Sequence, residues 1–150
     1  MATDLGLAAL HHLLAFGLVA MLVAEAVLLR GPLTDEMIPR LAKLDGGYGL
    51  CAGLLLVVGL CRVFLGVKGA DFYLHNPWFH AKVGAFVLVG LMSILPTVRF
   101  LRWRKKQHAD PCFVPDVVEL ARLRKILRLE LALVAVIFVL AAAMARYGGF

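Results

Sequence analysis

The side chains of this sequence that could do chemistry stand inside long apolar stretches. They include His11, His12, Glu25, Arg62, His80, Lys82, Glu130 and Met144. An ionisable group within a membrane span is costly and marks a functional candidate by default. Imidazole can ligate haem iron or a metal, with a methionine thioether as a second haem ligand. Ammonium and guanidinium groups neutralise anionic groups, and carboxylates can relay protons.

These residues fall into two layers. One contains His11 and His12, Arg62, His80 and Lys82, and Met144 with Arg146; the other contains Glu25, Arg30, Tyr48, Ser93, Arg99, Arg128 and Glu130. Helical rise separates His11 from Glu25 by roughly 20 Å, so the two cannot share one site. Fourteen residues also leave them only about 40° apart around a helix axis. Glu25 is too deep to face lipid cheaply, which turns His11 inward with it, whereas His12 shares a stripe with Arg30. Lys82 and Ser93 fall within about 20° of each other and define a second polar stripe, with His80 about 200° away from Lys82. Met144 shares a stripe with Glu130.

Each residue also has an ordinary role open to it. His11 and His12 could be interfacial, Lys82 could snorkel to headgroups, and Arg62 and Arg146 could anchor helix ends. Met144 could be packing, and Glu25 with Arg128 a structural ion pair. Tyr73, Trp78, Trp103 and Tyr147 suit an aromatic belt.

Four apolar stretches must position these groups, at about 5–29, 48–65, 78–100 and 127–147. Each is close to or above the roughly 20 residues that span a hydrocarbon core. In lipid they must be α-helices, because every backbone polar group needs an internal partner. The expectation is a single all-α domain over residues 1–150, an integral membrane four-helix bundle. Composition agrees: hydrophobic residues are 62% and charged residues 17% of the 150-residue chain, against roughly 45–50% and 25% in soluble domains. The first stretch lacks a basic leader and is longer than a signal-peptide core, so it is expected to be a retained span.

The connectors are short. Gly31-Pro32 ends the first helix, and Thr34-Asp35-Glu36 suits the cap of a short surface helix running to Leu44. Gly46-Gly47 and Gly66 bracket the second span, and Asn76-Pro77 opens the third. Gly49 and Gly53 form a GxxxG pair that permits close helix contact. Arg30, Arg40 and Lys43, with Arg99, Arg102, Arg104, Lys105, Lys106, Arg122, Arg124, Lys125 and Arg128, lie at one end, against Arg62, Lys68 and Arg146 at the other. The positive-inside rule then expects both termini outside the cytoplasm, in a multi-pass bacterial inner-membrane protein.

The net charge of +6 does not point to nucleic acid, because the basic residues flank apolar segments and serve as topology and headgroup contacts. Cys51, Cys61 and Cys112 form neither a disulfide framework nor a zinc pattern. Walker, dinucleotide-binding, H-E-x-x-H and G-x-S-x-G motifs are missing.

At the start of the third span, Trp78-Phe79-His80-Ala81-Lys82 resembles the W-L-H-x-K signature of HemJ-type protoporphyrinogen oxidases. The four helices, external termini, early histidine, arginine-rich approach to the last helix and the Arg40-Leu41 to Tyr48 stretch resemble them too. That resemblance implies a haem b held by a helix-one histidine, His11 or His12, and points also to His80 and to Lys82 as required for activity; on physical grounds Met144 could be a second iron ligand and Arg62 with Lys82 could neutralise propionates. It also implies a porphyrin or quinone-linked redox partner. The sequence departs from the family in lacking R-x-x-N-E-x-P before the last helix, where Arg128-Leu129-Glu130 is at best a remnant. The departure bears on porphyrinogen oxidation more than on haem binding.

Asn76-Pro77-Trp78-Phe79 and Ser93-Ile94-Leu95-Pro96-Thr97 are closer still to an uncharacterised family of short bacterial membrane proteins, over nearly the whole length. The alternatives are a cofactor-free protein, such as a small transporter subunit or an assembly partner, and a metal site on His11, His12 and His80. Too few helices enclose a pathway alone, which favours a homo-oligomer.

Overall fold

The computed structural model describes residues 2–31, 34, 36–66 and 69–147. Pro32, Asp35 and Lys68, which enter the capping and charge arguments, lie outside the described residues. Helix α1 spans Ala2–Leu28, α2 Met37–Leu65, α3 Gly69–Leu74, α4 Pro77–Ala109 and α5 Val117–Tyr147. All but α3 are long and apolar enough to cross a membrane, as the hydropathy pattern expects. Each long helix packs on its chain neighbour, and α5 closes against α1, leaving α1 and α4 on opposite corners.

All four long helices outrun the hydrocarbon core. At 1.5 Å per residue, α1, α2, α4 and α5 are about 41, 44, 50 and 47 Å long, against about 30 Å. The surface segment expected up to Leu44 is therefore continuous with the second span, and Gly46-Gly47 does not stop it. Glycine lowers helix propensity by only about 1 kcal/mol, and here close packing favours it. A Cβ on Gly47 would stand 2.9 Å from Met21 Sδ of α1. Gly49 and Gly53, in contrast, meet nothing of this chain within 4 Å. The close approach of α1 to α2 uses Gly47, not the GxxxG pair.

Asn76 begins α4 as expected: its side-chain oxygen accepts from the Trp78 amide at 2.9 Å, and Pro77 occupies the first turn. Arg99 pairs with Glu119 at 2.8 Å, and the Trp103 indole donates to the other Glu119 oxygen at 3.2 Å. These contacts join α4 to α5 at the arginine-rich end. Trp103 is consequently a core residue stacked near Phe100, and Tyr73 is likewise buried, beside Phe72 and Phe79. Only Trp78 and Tyr147 of the expected belt are exposed.

Packing is uneven along the bundle. The core cluster draws on Leu18 to Ala26 of α1 with Leu29 just after it, Ile38 to Tyr48 of α2, Val89 to Trp103 of α4 and Leu123 to Val134 of α5. Most of these lie in the half nearer the arginine-rich end, while Val58, Val63 and Tyr73 are buried towards the other.

Gly47→Val should force the Met21 side chain out of its place and cost up to about 1–3 kcal/mol, whereas Gly49→Ala should be neutral or stabilise by up to about 1 kcal/mol. Thermal unfolding of both variants in detergent checks the contrast.

Candidate functional site

Near the termini, α1, α2 and α4 bring His11, Arg62 and Lys82 towards one interior region. His11 is half-buried, its Nδ1 is buried without a hydrogen-bond partner, and Arg62 Nε is in the same condition. Lys82, Arg62 and His12 all act electrostatically on His11. Lys82 stands on the corner diagonal to α1 and is half-buried. Gly59 of α2 leaves room for the imidazole, since a Cβ there would lie 3.5 Å from His11 Cε1.

The other histidines do not join this group. His12 is exposed and its Nδ1 lies 2.6 Å from the Ala8 carbonyl oxygen. His80 is exposed, with Nε2 2.8 Å from the Leu74 carbonyl oxygen at the end of α3. Helical phase explains both: one residue further along α1 turns a side chain by about 100°, and two along α4 by about 200°. A metal site on His11, His12 and His80 is not formed, and no group of three or more His, Cys, Asp or Glu able to hold a metal ion exists among the described residues. Met144 is half-buried on α5, while Arg146 is exposed.

The second layer is more deeply buried and differs from expectation. Glu25 of α1, Asp45 and Tyr48 of α2 and Glu130 of α5 are 1%, 5%, 4% and 0% exposed. Asp45 was not among the sequence candidates. It precedes the apolar run of the second span, and only the inward extension of α2 as one helix carries it into the core. Arg30 and Arg128 are exposed, and Arg128 Nε donates to the Arg124 carbonyl at 3.2 Å. A pair between Glu25 and Arg128 is therefore not what the structure contains. The ionisable groups acting on Glu25 are Asp45 and Glu130, and the one acting on Glu130 is Asp45. Glu25 Oε1 and both Glu130 oxygens are buried without hydrogen-bond partners.

Helix α4 contributes Thr97. Its hydroxyl oxygen stands 2.9 Å from Asp45 Oδ1 and 2.9 Å from the Ser93 carbonyl oxygen. Pro96 interrupts the helix ladder beside it, and Ser93 Oγ donates to the Gly90 carbonyl at 2.8 Å. Hydroxyl groups commonly accompany proline in membrane helices for this reason. Next to this layer a cavity of about 270 Å³ opens between α2 and α4, with Gly49, Gly53, Gly90, Phe86, Tyr48 and Ser93 among its walls. The GxxxG glycines line this lateral groove.

A family of predicted membrane proteins, DUF2214, has a model that matches residues 3–149. The chain belongs to this family. No curated protein and no solved structure matches it. Membership extends over both polar layers and agrees with the sequence resemblance to a family of short membrane proteins. The four apolar helices make the chain a multi-pass membrane protein in contact with lipid.

Thr97→Val should leave Asp45 without its hydroxyl partner and cost about 1–3 kcal/mol, the usual penalty for stranding a buried polar group. Ser93→Ala, whose hydroxyl bonds only to its own helix, should cost less. Unfolding in detergent compares the two.

Proposed function

We propose that the chain is a haem b-associated redox protein of the bacterial inner membrane. The observation that carries this reading is the half-buried His11, whose Nδ1 is buried and unpartnered and which shares its surroundings with Arg62 and Lys82 from two other helices. Four-helix bundles hold cofactors by inward side chains of this kind. An imidazole nitrogen lacking a protein partner suits ligation of iron, and two cations suit the propionates of a tetrapyrrole.

In this reading His11 would ligate the iron, Met144 on α5 would be a second candidate ligand, and Arg62 and Lys82 would hold the carboxylates. Haem, when bound, supplies one-electron chemistry. The chain's part is to fix the imidazole, exclude water from one side and place positive charge where anionic groups would lie. The resemblance of Trp78 to Lys82 to the HemJ-type signature supports the same cofactor and gives Lys82 a role in turnover. A porphyrin or quinone-linked partner would exchange the electrons. His12 and His80 are left out of this reading because both are exposed and turned away from His11 by helical phase.

Protein purified from cells supplied with haem should show a Soret band. His11→Ala should abolish that band, while His12→Ala and His80→Ala should retain it. Protein that folds but stays colourless after haem is added, or a band indifferent to His11→Ala, overturns the reading.

A further inference from the structure

The buried acids of the second layer carry a separate inference, independent of haem. Glu25, Asp45 and Glu130 reach one region from α1, α2 and α5, each no more than 5% exposed. The ionisable groups coupled to them are one another and Tyr48. The cations of this end are turned elsewhere: Arg30 and Arg128 are exposed, Arg99 is paired with Glu119, and Arg124 Nε donates to the Leu29 carbonyl. Burying several like charges without a counter-ion costs several kcal/mol per ion. Positive charge must therefore come from outside the chain. A coordinated metal ion does not suit, because these carboxylates do not converge as a ligand set; a proton needs only one oxygen.

Hydrogen-bond counting at Thr97 indicates where one proton lies. A threonine hydroxyl has one hydrogen, yet Thr97 Oγ1 is 2.9 Å from both Asp45 Oδ1 and the Ser93 carbonyl oxygen. The carbonyl can only accept. A three-centre bond would divide that one hydrogen between two acceptors; when Asp45 Oδ1 bears a proton and donates it to Thr97, which in turn donates to Ser93, each contact has a hydrogen of its own.

We infer that Glu25, Asp45 and Glu130 form a proton-binding site, with one proton on Asp45 Oδ1 bonded to Thr97 Oγ1, and that the site exchanges protons with water. Uptake forms an O–H bond on a carboxylate oxygen with a proton drawn from water, release reverses it, and no electron moves. The unpartnered oxygens of Glu25 and Glu130 are the further acceptors. Tyr48 stands between them and the groove.

Infrared spectroscopy of the wild-type protein in liposomes at about pH 7 tests this. An un-ionised carboxyl carbonyl band is expected, moving to lower frequency in D2O as the acids exchange. Asp45→Asn, Glu25→Gln and Glu130→Gln should each weaken it. Thr97→Val should raise the frequency of the aspartate component by removing its acceptor. Where a carboxyl variant fails to fold, wild-type protein carrying 13C in its aspartate carboxyls should show that component displaced. A folded wild type without an un-ionised carboxyl band, a band that D2O leaves in place, or one retained at full strength in all three carboxyl variants overturns the inference.

Discussion

The lack of water in the bilayer interior is the constraint on which the rest depends. It forces the backbone to satisfy itself within each segment, making every span a helix. The same dryness makes an unpaired polar side chain expensive, so those that persist must repay their burial through a neighbour, a ligand or a proton. Helix formation and the placement of the two polar layers are consequences of one solvent property.

The bundle answers that constraint differently at its two ends. Towards the arginine-rich end the helices interlock through Leu22, Leu41, Phe100, Trp103, Leu123 and Leu127, all at most 2% exposed. Glu25 and Glu130 are buried in that half. Towards the termini His11, Arg62 and Lys82 are half-buried instead.

Glycine shows how the bundle allots its close contacts. Gly47 lets α1 and α2 approach where Met21 fills the space, while Gly49 and Gly53 remain open along the groove. The motif most easily noticed in the sequence is not the one that brings two helices of this chain together. Spacing reports which residues share a face of one helix, but not which face meets a neighbour.

Much of the architecture was determined by the sequence alone, because hydrophobic length and helical phase are local properties. The number of spans, the cap at Asn76, and the separation of inward His11 from outward His12 and of Lys82 from His80 all follow from counting residues along a helix. Tertiary structure decided what local counting cannot reach. It carried Asp45 into the core by continuing α2 through two glycines, set Thr97 of α4 against it, and turned Arg30 and Arg128 away from Glu25. It also buried Trp103 by offering its indole the Glu119 carboxylate. Those outcomes depend on which helices lie side by side and on how far each extends beyond the lipid, and packing between distant parts of the chain fixes both.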